Sequence, residues 1–113
     1  CIRDRTFSME VEPVGPAGAG LLQNYKKSFL WFMRASEQGS YWGQYNLGRA
    51  YKSGIGTPEN IVKAHMWFNL SAFNGHAGGA EIRDMLSKRM APKQINDAQS
   101  QAEVCISKKY RSC

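Results

Sequence analysis

Apolar and polar positions along most of this chain follow the spacing of a helix rather than of a strand. Between Tyr25 and Gln38, Phe29, Phe32, Met33 and Ser36 fall on one side, with Trp31 and Ala35 beside them. That spacing predicts an amphipathic helix. Asn24 stands where a helix cap is expected, and Gly39 stands where a left-handed residue would end the helix. The same reading predicts a second helix over Tyr41–Ser53 closed by Gly54, and a third opened by Asn60 that runs to about Asn74 before Gly75. A fourth is expected from Ala77 to Met90, and a fifth from Lys93 to about Lys108, with Pro92 in the tolerated first turn. Residues 1–17 show no such period, and Pro13, Gly15 and Pro16 break it, so they read as an irregular lead-in. The expected fold is all-α: antiparallel helix hairpins stacked into an α-solenoid, with the last helix as a C-terminal cap.

The pattern also repeats. Gly18, Gly20, Asn24, Lys27, Trp31, Phe32, Gly39 and Gly43 recur 36 residues later as Gly54, Gly56, Asn60, Lys63, Trp67, Phe68, Gly75 and Gly79. A period of this size belongs to helical-hairpin arrays, in which each unit buries its repeated residues against its neighbours. Trp31 and Trp67 are therefore expected to occupy equivalent positions, each wedged between its own hairpin and the next.

Composition narrows the class. The chain has 113 residues, 42% of them hydrophobic and 21% charged, the balance of one folded domain rather than a disordered segment. No apolar run approaches the roughly 18–20 residues that a membrane-spanning helix requires. The net charge is +6, and Lys108, Lys109 and Arg111 end the chain without a nearby acid. A solvated helix end accounts for those cations better than nucleic-acid binding does, because no accompanying nucleic-acid motif is present. Cys1, Cys105 and Cys113 match no zinc spacing. Three readings stay open for them: a Cys105–Cys113 bridge in an oxidising compartment, a lipidated Cys1, or three free thiols.

Catalytic chemistry finds little support. His65 and His76 are the only side chains that ordinarily titrate near neutral pH, and neither sits in a hydrolase or metalloprotease signature. Glu81 and Asp84 lie among Arg83, Lys88 and Arg89, which reads as a surface ion-pair network. The Gly18-x-Gly20 and Gly54-x-Gly56 turns lack the lysine of a phosphate loop. We expect no catalytic residue, no metal site and no cofactor.

The runs Ala35-Ser36-Glu37-Gln38-Gly39, Gln44-Tyr45-Asn46-Leu47-Gly48, Tyr51, Gly54-Ile55-Gly56, Lys63-Ala64, Trp67-Phe68 and Gly75-His76 resemble the Sel-one-like repeat (SLR), a tetratricopeptide-like family. On that resemblance residues 18–38 are the second half of a unit, 39–75 a full unit, 75–109 a degenerate final unit with its capping helix, and 110–113 a tail. The first helix of the leading unit is missing or replaced by the lead-in, and Ala91 stands where the family ending carries a threonine cap. The resemblance implies a non-catalytic protein-binding scaffold, an adaptor or a specific inhibitor of the immunity type. An exported bacterial envelope component, lipoprotein or periplasmic, with a membrane-associated or polysaccharide partner is the alternative. Either way it favours the bacterial periplasm or secretion over the cytoplasm, and another protein over nucleic acid as the partner.

The family pattern assigns Gly43, Leu47, Gly48 and Tyr51 to packing. Trp42, Tyr45, Asn46 and Arg49 remain as a stripe on another face of the second helix. Trp, Tyr and Arg together are the composition of an interface hot spot. The 36-residue offset adds Glu81, Ile82 and Met85 from the next hairpin. These seven residues are the expected binding face. The competing reading has Trp42 folding back over the lead-in to fill the space of the missing helix.

Overall fold

The computed structural model describes residues 18–113 and, from Asn24 onward, their side chains; the lead-in over residues 1–17 lies outside the described residues. Five helices follow in order: α1 Gly18–Glu37, α2 Tyr41–Ser53, α3 Ile61–Phe73, α4 Ala77–Ser87 and α5 Pro92–Ser107. Among the described residues there is no strand, so the array is an all-α helical-repeat solenoid.

The boundaries follow local chemistry. The Ser40 hydroxyl accepts from the Gly43 N–H at the start of α2, and the Asn60 side chain accepts from Lys63 N–H at 3.0 Å at the start of α3. Asn24 does not cap a helix: α1 begins at Gly18 and carries Asn24 in its interior. A cap residue is only a signal when the chain before it is non-helical, and here the helix continues upstream. At α5, Ala91 has no side-chain acceptor to offer, so only the reverse half of a capping box forms, from the Ala91 N–H to Gln94 Oε1 at 2.9 Å. The fourth helix stops at Ser87, short of the expected Met90.

The sequence repeat is also a repeat of contacts. Gly39 and Gly75 both take positive φ, 83° and 109°. The following N–H groups reach back alike, Ser40 to the Ala35 carbonyl and His76 to the Ser71 carbonyl, at 3.1 and 3.0 Å. A Cβ on Gly43 would stand 2.9 Å from the Phe32 carbonyl oxygen, and one on Gly79 would stand 2.8 Å from the Phe68 carbonyl oxygen. Both glycines let one helix lie directly on the backbone of the helix before it.

Packing then centres on α3, which lies against α2, α4 and α5, whereas α1 packs chiefly on α2. One apolar cluster joins Leu47, Met66, Trp67, Leu70, Ala102 and Cys105, and Phe29, Phe32, Met33, Tyr110 and Cys113 lean on it. A second joins Ala64, Phe68, Leu86, Met90 and Ala98. A polar chain threads between the elements: Asn74 Nδ2 donates to Gln44 Oε1 at 2.8 Å, and Tyr110 OH donates to Asn74 Oδ1 at 3.3 Å. Gln44 is fully buried, so this partner removes much of the cost of placing an amide inside.

After α5 the chain doubles back. Lys109, Tyr110 and Ser112 adopt positive φ, and Cys105 is joined to Cys113 by a disulfide with the Cα atoms 5.6 Å apart. Three non-glycine residues in this region cost about 1–2 kcal/mol each, so the turn relies on Tyr110 packing and on the cross-link to persist.

Trp31 does not share the environment of Trp67. Trp67 is 0% exposed and Trp31 is 70% exposed. Trp67 has α2, α5 and the tail around it, whereas no described helix covers the corresponding side of α1.

Trp67→Ala should therefore lose about 3–5 kcal/mol in urea denaturation, the cost of emptying a large buried site. Trp31→Ala should stay within about 0.5 kcal/mol of the parent. Removing the cross-link through Cys113→Ala should cost about 2–3 kcal/mol under non-reducing conditions, the loop-closure value for so short a ring. Urea titrations with and without reductant test that expectation, because reductant should bring the parent down to the variant.

Candidate protein-docking face

The outer side of α2 carries Tyr41, Trp42, Tyr45, Arg49 and Lys52. Trp42 is 59% exposed, and Arg49 and Lys52 are open to solvent. Tyr45 is half-buried because its ring meets the edge of Phe68, with centroids 5.5 Å apart. Two contacts absent from the sequence reading complete this side. His76 stacks on Tyr41 at 5.3 Å, and it meets Tyr45 edge to face at 4.6 Å. His76 precedes α4, so this aromatic trio joins the outer face of α2 to the start of α4. A tyrosine four residues before another on a helix, with a histidine in the turn after the following helix, was the available signal.

On α4, Met85 is 61% exposed and Glu81 is exposed, while Ile82 is half-buried against the same apolar cluster that Tyr45 leans on. Tyr45 and Ile82 thus lean on one apolar cluster from α2 and from α4, while Trp42, Arg49, Glu81 and Met85 are exposed. Asn46 is not part of this face. It is 8% exposed, and its side-chain amide donates to the Trp42 carbonyl at 2.9 Å on its own helix. Each residue turns about 100° around a helix axis, and that step carries Asn46 from the Tyr45 side to the packed side.

Charge is divided across the face. Cations lie on α2, at Arg49 and Lys52, and carboxylates lie on α4, at Glu81 and Asp84. Arg83 and Asp84 largely cancel, because the Arg83 Nε donates to Asp84 at 3.0 Å while its NH1 donates to the Asn69 side chain at 2.8 Å, which leaves Glu81 as the α4 charge.

The buried histidine has a structural environment. His65 is 1% exposed, its Nε2 lies 2.9 Å from the Ser87 hydroxyl, and its Nδ1 has no partner. Ser87 in turn donates to the Arg83 carbonyl at 2.9 Å, which assigns the Nε2 proton to His65 as donor. No acid orients Nδ1, as a nucleophile–base pair would need. Burial and then the nearby Arg83 charge hold the imidazole below its ordinary value of 6.5, with Asp84 opposing them. Among the described residues no cluster of three His, Cys, Asp or Glu could hold a metal ion, and no helix is long and apolar enough to cross a membrane.

The stacked hairpins define a helical-repeat solenoid. The Sel1 repeat model matches residues 17–40 and 43–76, just over half of the chain, and the chain belongs to that family. Such repeats generally mediate protein–protein interaction. Among solved structures it is similar to a protective antigen of uropathogenic Escherichia coli displaying an SLR fold, at 27% identity and a TM-score of 0.72. The likeness covers 80% of this chain and 22% of that one, so the chain spans about a fifth of the antigen's length. No curated protein matches the chain.

A histidine held low in the folded protein makes stability fall on acidification. The unfolded chain takes up the proton near pH 6.5 while the folded chain does not, so the His65 contribution is complete above that pH and is lost as the pH drops below it. Urea titrations at pH 7.5 and pH 5 should show a larger acid loss for the parent than for His65→Gln, whose amide can still donate to Ser87. Equal losses in the two proteins would contradict this assignment.

Proposed function

We propose that this chain is a non-catalytic protein-binding module, an adaptor or a specific inhibitor, whose partner docks on the outer face of α2 and the start of α4. One observation carries this reading: Trp42 and Met85 are about 60% exposed on helices whose Tyr45 and Ile82 both pack on the Phe68 cluster. A large aromatic held in water on a rigid helix can surrender that area to a partner with little loss of freedom. Arg49 on one side and Glu81 on the other suit a protein surface of mixed sign. Trp42, Tyr45, Arg49, Glu81, Ile82 and Met85 carry the face, and His76 locks its aromatic corner.

A second reading places the same module in the bacterial envelope or outside the cell. The observation that favours it is the Cys105–Cys113 bridge, since such bonds persist in oxidising compartments. The two readings share a protein-binding face and differ in where the partner is met.

The test is capture from extracts of the source organism on immobilised chain, followed by affinity measurement on the captured partner. Trp42→Ala with Met85→Ala should weaken binding by more than about 2 kcal/mol and leave the circular dichroism spectrum unchanged, because both side chains are exposed. Undiminished binding by that folded variant would remove the partner from this face.

A further inference from the structure

A stripe on α1 repeats a stripe of α3, yet only the second is covered. Lys27, Leu30, Trp31 and Arg34 correspond at the 36-residue offset to Lys63, Met66, Trp67 and Leu70. Each set lies three, four and seven residues from its first member, so each is one line along its helix. On α3 that line receives α5 and the tail. Lys63 Nζ donates to the Cys113 carbonyl at 2.8 Å, Met66 shares a groove with Val104 and Cys105, and Trp67 and Leu70 pack in one cluster with Ala102 and Cys105. Glu103 lines the cleft beside Leu70. On α1 the matching residues face solvent, with Leu30 61% and Trp31 70% exposed and both cations open.

We infer that the Lys27–Leu30–Trp31–Arg34 stripe is a docking site for one helix of another protein, lying on α1 as α5 lies on α3. The covered copy supplies the chemistry of the occupant. Ala98, Ala102 and Cys105 sit at offsets of four and seven and are the buried residues of α5, Ala102 and Cys105 in the Trp67 cluster and Ala98 in the Phe68 cluster. The occupant therefore presents small side chains at that spacing, which lets its backbone approach the indole closely. The single change from apolar to charged within the stripe is Arg34 in place of Leu70. In the α5 pose that position lies beside Glu103, so the occupant carries a carboxylate there. With Lys26 and Lys27 also exposed, the stripe selects an acidic helix. A second copy of this chain does not supply it, because its α5 is packed on its own α3 and tied there by the disulfide-closed tail. The stripe lies on α1, apart from the α2–α4 face, and failure of either site leaves the other standing.

The probe is a synthetic peptide of residues 92–113 with its disulfide closed and Lys93, Lys108, Lys109 and Arg111 replaced by glutamine, so that Asp97 and Glu103 make it acidic, titrated into the full isotope-labelled chain while the tryptophan indole N–H resonances are followed. We expect a saturable shift of the Trp31 resonance with Trp67 unmoved. Leu30→Asp in the chain should weaken binding by about tenfold or more. Glu103→Lys in the peptide should weaken it by about threefold to fivefold at low salt, the scale of an exposed ion pair. Absence of a saturable Trp31 shift overturns the proposal. So does a shift at Trp67 instead, which would mean exchange with the chain's own α5. A Trp31 resonance that moves on dilution of the free chain gives the stripe to a second copy, and one protected from solvent in the free monomer gives it to residues 1–17. Either result also overturns the proposal.

Discussion

The ring and carbonyl of Phe68 are the contact on which the helices must agree. A Cβ on Gly48 of α2 would stand 2.9 Å from the ring, Tyr45 meets its edge, and α4 lies on its carbonyl at Gly79. Ala98 of α5 and Leu86 of α4 complete the enclosure. A helix that gives its backbone to one neighbour and its ring to another cannot shift without disturbing both, since protein interiors are close-packed. This fixes the direction in which Tyr45 points. It therefore fixes the Tyr45 side of the proposed docking face as well.

The elements that local chemistry determines could be read in the chain. Asn60 caps α3 and Gly39 and Gly75 end helices because a single residue's side chain or conformational freedom decides each case. The 36-residue offset likewise pairs Gly43 with Gly79, and both lie against the backbone of the preceding helix. What depended on a non-local neighbour was not legible. Trp31 and Trp67 have the same sequence context, and only the position of α5 and its tail separates a solvent-facing indole from a buried one. Asn46 illustrates the finer limit. Offsets of three and four both suggest one stripe, but they straddle the helical repeat, and a short amide can satisfy itself on the preceding turn and turn inward. His76 was missed for the opposite reason: a turn residue joined the face through stacking that no periodicity encodes.

The final helix departs most from regular stacking. α5 lies on α3, so the small residues of its inner face cover Met66 and Trp67. A repeat array needs its last apolar surface closed, and a helix with alanines inward does this with close approach and little side-chain ordering. The tail extends the same closure. Tyr110 reaches the Gln44–Asn74 amide pair, so the end of the described chain also satisfies polar groups buried between α2 and α3. Closure at this end is thus both apolar and polar.

The consequence is an asymmetry between the two ends of the described array. At α5 the repeated tryptophan is enclosed by small residues, a cross-link and a lysine contact to the tail carbonyl. At α1 the same lysine and tryptophan are present and exposed. Leucine and tryptophan left on a helix surface contribute nothing to the packing of the described helices, and their area is available to whatever covers them. Their replacement by polar residues would leave the α1–α2 interface intact, because Phe29, Phe32 and Met33, on the other side of α1, make that contact. The packing between α1 and α2 accounts for one side of α1. A second helix-shaped surface accounts for the other.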